Sequence, residues 1–230
     1  MFGKYIIWTL CLIFLLNVLS MNAQDKIVVS KGETLSVGIQ GGVGFMLARE
    51  SDISRGCHYG ADIHYMLNRS MSIGIKYSGL YASSGGFVII DPKDEWQNWC
   101  VNTEERIYIN FIGLSFRRQY YLNRSDKFKL SSGIALGYTH YRDETENDFY
   151  DLKNYLMKSN TIGGNAELGI EYFPLRWISL GVSTSCFLSW FRKGTITDGR
   201  NTTTMKFKDY ELDNVNASRL DLSLDIKFHL

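Results

Sequence analysis

Two histidines and an aspartate stand close together in one short stretch of the chain, at His58, Asp62 and His64. Residues two or four positions apart project from the same side of a β-strand, so the three share one face if the stretch is extended. Imidazole and carboxylate groups together can bind a metal ion or transfer protons. No nucleophile or further ligand accompanies them in a recognisable pattern, so we predict a hydrogen-bond network here, with no metal site and no cofactor.

A second set of reactive side chains is scattered over the longer connections, at Ser83, Ser84, His140 and Asp143. It has no recognisable catalytic arrangement. The acidic segment 142–160 invites a calcium interpretation but lacks the central Gly and final Glu of an EF-hand loop, and its apolar spacing predicts a short amphipathic helix. We therefore expect a protein that is not an enzyme. The alternative is an enzyme that acts on lipid or peptide, with these residues at the rim of the fold.

The elements that carry these residues show a period of two. In Leu220–Leu230, every second residue is apolar and the residues between are Asp, Ser, Lys and His, which predicts a strand with one apolar and one polar face. Seven more stretches show the same alternation. The predicted strands are 34–47, 55–67, 71–81, 106–122, 127–141, 161–173, 177–190 and 220–230. Inside the fourth, the apolar parity changes, which predicts a β-bulge near Phe111–Ile112.

Short and long connections alternate between these strands. Asn68-Arg69-Ser70, Asn123-Arg124-Ser125 and Pro174-Leu175-Arg176 are short turns, whereas the segments near 48–54, 82–105, 142–160 and 191–216 are longer and more polar. Such a pattern predicts an all-β fold, an eight-stranded antiparallel up-and-down barrel. The last long segment contains Thr197–Asn201, which predicts a hairpin beyond the barrel.

Alternation alone does not tell which face of the barrel is apolar. The polar face is rich in Gly, Ser and Ala, which suit a narrow lumen better than a water-facing surface. Aromatic residues beside the short turns suggest an interfacial girdle that anchors the barrel in lipid; they are Tyr65, Tyr120, Tyr121, Tyr172, Phe173 and Trp177. We expect a transmembrane barrel with its apolar face toward lipid, and a soluble lipocalin-like carrier with the opposite arrangement is the alternative.

Charged residues on the polar face must then pair inside the barrel, because an unpaired buried charge is costly. A lumen filled in this way is expected to be plugged rather than open. The predicted network consists of Asp62, His64, Lys76, Lys129, Glu167, Glu171, Asp221, Asp225 and Lys227.

The N-terminal segment has the features of a secretory signal peptide. Lys4 precedes an apolar run, and Ala23 ends it before polar residues, so we predict cleavage that leaves one domain, 24–230; an N-terminal membrane anchor is the alternative. The net charge of the chain is only +1, and the sequence contains no block of basic residues, which argues against nucleic-acid binding. Cleavage would remove Cys11 and leave three cysteines, Cys57, Cys100 and Cys186, of which Cys57 and Cys100 are one possible disulfide pair.

Three segments resemble a known family. Arg106–Leu122, Ser131–Tyr138 and Gly169–Phe173 resemble the porin-like, PorT-type outer-membrane β-barrel domain common in Bacteroidetes. The resemblance implies a Gram-negative cell outer membrane and insertion by the barrel-assembly machinery. It carries over no catalytic residue.

The long connections offer the best candidates for binding. The aromatic residues Phe87, Trp96 and Trp99 are too apolar for a loop that only faces water, which favours a contact site; packing over the barrel mouth or in the outer lipid interface is the alternative. Lys206 and Lys208 are placed to meet lipopolysaccharide phosphates. We expect a structural, adhesive or surface-binding role, with outer-membrane lipid and an extracellular protein or glycan as partners.

Overall fold

A computed structural model describes residues 34–47, 55–68, 70–90, 99–122, 127–147, 155–198, 201–206 and 215–230. These form eleven strands: β1 Leu35–Met46, β2 Arg55–Asn68, β3 Met71–Ile90, β4 Trp99–Tyr121, β5 Phe128–Asn147, β6 Tyr155–Leu175, β7 Ile178–Phe191, β8 Lys193–Asp198, β9 Asn201–Lys206, β10 Val215–Asn216 and β11 Arg219–His229. No helix in this part of the chain is long and apolar enough to cross a membrane.

Eight strands close into an antiparallel ring, which confirms the predicted fold. Strands β1 to β7 pair in chain order, and β11 pairs with both β7 and β1. Following paired residues once around the ring from Ser36 leads back to β1 at Met46, a displacement of ten residues. A stagger of this size requires strands tilted by about 40° and leaves an interior that side chains can fill.

The apolar side chains face outward, as expected for a barrel in lipid and opposite to a soluble carrier. Leu114, Leu136 and Leu224 are each more than 65% exposed, whereas the side chains that alternate with them are buried. Two members of the predicted aromatic girdle, Tyr121 and Phe173, are an exception. They lie inside the barrel, their ring centroids 6.1 Å apart, because the inward parity of β4 and β6 continues to the end of each strand.

The predicted bulge in β4 is absent. Its register with β3 and β5 runs without a shift through Phe111 and Ile112. The apolar parity changes because Ile107, Ile109 and Phe111 point into the barrel, where they are fully buried, while Ile112 points to lipid. The three inward side chains belong to an upper apolar cluster, in the half of the lumen nearer the long connections. Its other members are Leu80, Ala82, Ala135, Tyr141, Phe187, Phe191 and Ala217.

The longer connections contain more strand than predicted. β3 and β4 stay paired as far as Ile90 and Trp99, and β5 and β6 as far as Thr145 and Tyr155. Within the described residues, the segment predicted to be helical is therefore extended. The predicted hairpin is confirmed as β8 and β9, and β8 pairs with the upper end of β6.

The short turn at Asn68 has a local cause. Its side-chain Oδ1 accepts hydrogen bonds from the backbone N–H groups of Ser70, at 2.9 Å, and Met71, at 2.8 Å. An Asn that binds its own backbone in this way stabilises a tight reversal. The second copy of this Asn-Arg-Ser motif, at 123–125, lies outside the described residues.

Candidate functional site

All nine residues predicted for the lumen network have buried side chains inside the barrel. They occupy the inward parity of strands β2, β3, β5, β6 and β11, and none is more than 4% exposed. The network has three layers, which follow one another from the end with short turns to the end with long strands.

The lowest layer is centred on Glu171. Its carboxylate accepts from Lys227 Nζ at 2.7 Å and lies 3.0 Å from Lys129 Nζ. The Lys129 ammonium also stands 4.8 Å from the centroid of the Phe173 ring. The Phe173 ring packs in turn on His229, with their ring centroids 4.9 Å apart. The aromatic pair Tyr121 and Phe173 thus covers one side of a buried triad of ions.

The middle layer is centred on Arg117, which the sequence analysis did not include. Its guanidinium donates to Asp62 Oδ2 at 3.0 Å and reaches Glu167 at 3.4 Å. Lys76 Nζ also binds Glu167. A planar guanidinium can satisfy two carboxylates at once, which suits this crowded position.

The upper layer is formed by Arg219 and Asp221. Arg219 Nε lies 3.0 Å from Asp221 Oδ1, its Nη2 donates to Ser78 Oγ at 2.6 Å, and its guanidinium stands 4.5 Å from the Phe187 ring centroid. Arg219 was also missed, although its position on the inward parity of Leu220–Leu230 is a signal. It joins the ionic layers to the apolar cluster above.

Charge is balanced inside the described part of the lumen. Five buried cations, Lys76, Arg117, Lys129, Arg219 and Lys227, face five buried carboxylates, Asp62, Glu167, Glu171, Asp221 and Asp225. Asp225 has no cation within 4 Å among the described residues. Lys227 lies two residues away on the same face of β11.

His58, Asp62 and His64 do not come together as a metal site. His58 Nδ1 lies 3.5 Å from Asp221, and His64 Nε2 lies 3.9 Å from Asp62 and bonds through Nδ1 to Ser72 Oγ at 3.3 Å. The described residues contain no group of three or more potential metal ligands. Each histidine is part of the polar lumen.

The rim residues considered for catalysis are also apart. Ser83 and Ser84 of β3 lie opposite Arg106 and Glu105 of β4. His140 Nδ1 instead bonds to Asn160 Oδ1 at 2.7 Å, and Asp143 accepts from Tyr141 Oη at 3.2 Å. In the described part of the chain, no serine hydroxyl contacts His140.

The binding candidates are placed unevenly. The backbones of Phe87 and Trp99 lie in the paired upper ends of β3 and β4. Lys206 is exposed at the end of β9, opposite Lys193. Trp96 and Lys208 lie outside the described residues.

An aromatic cluster that the sequence analysis did not identify lies on the outer face near the long-strand end. Tyr59 and Tyr77 donate to Asn110 Oδ1 at 3.2 and 2.7 Å. The Tyr59 ring lies where a side chain at Gly79 would stand, so a larger residue there would displace the ring. Tyrosines with satisfied hydroxyls are typical of a membrane interface.

Cys57 and Cys100 are too far apart to form a disulfide. Cys57 lies opposite Tyr81 of β3, and Cys100 lies beside Ile89 of the same strand. Eight residues of strand separate these positions by about 26 Å, whereas bridged Cα atoms lie within about 7 Å. Cys57 is a free, exposed thiol on the outer face.

Comparison with known proteins shows the fold alone. No protein-family profile matches the chain, and no curated protein matches it significantly in sequence. Among solved structures, it is similar to a major outer membrane protein from Thermus thermophilus, with 13% identity, TM-score 0.52, and 85% of this chain and 99% of that chain covered.

Two further structures are similar at lower scores. The outer membrane protein OprG from Pseudomonas aeruginosa has 12% identity and TM-score 0.47, with 88% of this chain and 100% of that chain covered. The outer membrane protease OmpT from Escherichia coli has 9% identity and TM-score 0.45, with 86% and 94% covered. The fold is that of outer-membrane β-barrels.

Proposed function

We propose that the protein is a plugged barrel of the Gram-negative outer membrane that has a structural, adhesive or surface-binding role and is not an enzyme. The observation that carries this proposal is the filled lumen. Ten buried charges of zero net sum are enclosed between the Tyr121–Phe173 pair and the upper apolar cluster. Ion passage would require these contacts to break together, which would leave unpaired charges in a narrow interior.

The tall side of the barrel supports a surface role. Strands β3 to β6 and the β8–β9 hairpin continue beyond the level at which β1 and β2 end, and long strands and loops mark the extracellular end of outer-membrane barrels. This wall carries the segments 82–105 and 191–216, which we propose as the contact regions for an extracellular protein or glycan.

Export and assembly follow from the same proposal. Residues 1–23 act as a cleaved signal peptide, residues 24–230 are inserted by the barrel-assembly machinery, and the chain is a member of the PorT-type group of Bacteroidetes barrels. Three segments carry that resemblance: Arg106–Leu122 lies in β4 except for its last residue, Ser131–Tyr138 lies in β5, and Gly169–Phe173 lies in β6.

Four measurements test the proposal. Purified protein should migrate as a compact species on SDS gels until it is boiled, and it should give little or no steady conductance in planar bilayers. Large stable channels would contradict the plug. Extraction in aqueous buffer without detergent would contradict a membrane location, and altered envelope lipids or peptides on deletion would favour the enzyme alternative.

A further inference from the structure

A depression on the outer face of the barrel lies within the apolar band. It has a volume of about 700 Å³ and spans β4 to β7, with Ile73 at one side and Leu220 at the other. Its floor is made of small residues, Gly164, Ala166 and Cys186, among larger apolar side chains. Volumes of this size are typical of pockets that enclose small ligands.

Three adjacent strands lead from this depression to cations at the extracellular end. On β5, the outward residues after Leu136 are Tyr138, His140 and Arg142; in the same rows on β6 they are Ile162, Asn160 and Lys158 after Gly164. On β7, Leu188 is followed outward by Trp190, and Arg192 stands just beyond the strand. Each strand therefore passes from an apolar residue through the interface to a positive charge.

The distance between the depression and the cations matches the distance between the acyl chains and the phosphate of a lipid. Six residues separate Gly164 from Lys158 along β6, which is about 20 Å of strand and about 15 Å along the membrane normal at a tilt of about 40°. A lipid whose phosphate contacts Lys158 therefore extends its acyl chains past the depression.

Two of the cations are available to a ligand. Arg142 is engaged by Glu144, but neither Lys158 nor Arg192 has a carboxylate within 4 Å among the described residues, and both are exposed. Ammonium and guanidinium groups form charge-assisted hydrogen bonds to phosphate. The apolar depression and these charges form one continuous surface.

We infer that this surface binds one molecule of the phosphorylated acyl glycolipid of the outer leaflet, with an acyl chain in the depression and a phosphate on Lys158 and Arg192. The inference rests on the proposed membrane location and defines the lipid partner. The occupant carries both chemistries, since a neutral lipid would leave the two cations unused.

Native mass spectrometry of the detergent-purified barrel, titrated with purified lipid A, tests this site. Gly164→Leu fills the depression, and a Cβ there would meet no atom nearer than 3.9 Å, so the barrel should tolerate it. Lys158→Glu/Arg192→Glu reverses the charges. We expect each variant to weaken the binding of one lipid A at least tenfold, and dephosphorylated lipid A to bind the native protein as weakly.

Matched controls lie elsewhere on the outer surface. Gly41→Leu adds the same side chain to open space on β1, and Arg55→Glu/Arg176→Glu reverses two exposed charges away from the depression. Both should bind within twofold of the native protein. Unchanged affinity in either site variant, or equal losses in the controls, would overturn the site. Heat-modifiable migration of every variant reports separately on the barrel itself.

Discussion

Removing the carboxylate of Glu171 should destabilise the barrel strongly. Glu171 is 1% exposed and pairs with Lys129 and Lys227, which are equally buried. Deleting one partner of a buried pair costs about 3–5 kcal/mol because the remaining charge is left unpaired. Glu171→Leu leaves two such charges, so we expect the upper end, about 5 kcal/mol, or more than three decades in the folding equilibrium.

Reversible urea unfolding in lipid vesicles measures this change. With a slope of about 2 kcal/mol per molar urea, the midpoint should fall by about 2.5 M. The matched variant is Lys129→Met/Glu171→Leu/Asp225→Asn/Lys227→Met, which removes two cations and two carboxylates and keeps the formal charge of the lumen at zero. It should recover most of the loss, since apolar or neutral replacements of whole buried ion groups are close to neutral. A single variant within about 1 kcal/mol of the native protein would refute the buried triad.

Three further predictions concern the ends of the barrel. Phe111→Ala should lower the free energy of unfolding by about 3–5 kcal/mol in the same assay, because Phe111 is fully buried and packs on Phe187 with ring centroids 5.5 Å apart. Leu114→Ala, at a lipid-facing position, is the control, and equal losses in both variants would contradict the packing of the upper apolar cluster. Asp143 lies beyond the apolar band, and burial raises its pKa; its ionisation therefore opposes folding as pH rises, so Asp143→Asn should be more stable than the native protein at pH 7 and lose this advantage as the carboxyl is protonated in acid. Phe228→Asp/Leu230→Asp places charges on exposed outward positions of the strand that closes on β1 and should abolish outer-membrane assembly, measured by fractionation; normal assembly would argue against its role in insertion.

The period of two made the barrel predictable, since each spanning strand has one face in lipid and one in a polar interior. The alternation predicted that Asp62 and Glu167 point into the barrel, but it did not predict that both carboxylates bind the same cation, Arg117. Arg117 bridges these two because a stagger of ten residues brings β2, β4 and β6 to one level, and that stagger depends on registers between strands that are distant in sequence.

The errors about which side chains point inward have a common physical cause. An apolar side chain that faces an apolar cap inside the barrel looks the same in sequence as one that faces lipid. Ile107 and Ile109 were therefore explained by a bulge, and Phe173 was assigned to the lipid interface, although all three point inward. The long β3–β4 hairpin was missed because Ser83–Gly86 has the composition of a loop, whereas its backbone is paired throughout.

The upper apolar cluster and the Tyr121–Phe173 pair form two caps on the lumen, and these caps and the ion pairs between them depend on each other. Apolar side chains at the top and aromatic rings at the bottom restrict water, so the charges between them must be neutralised by one another. Conversely, Arg219 and Lys129 each place a cation against a ring of the neighbouring cap, Phe187 and Phe173, which couples packing to charge. Loss of either cap should admit water and weaken the need for pairing, so the destabilisation caused by Glu171→Leu should shrink when it is combined with Phe111→Ala, whereas additive losses would show that the layers are independent.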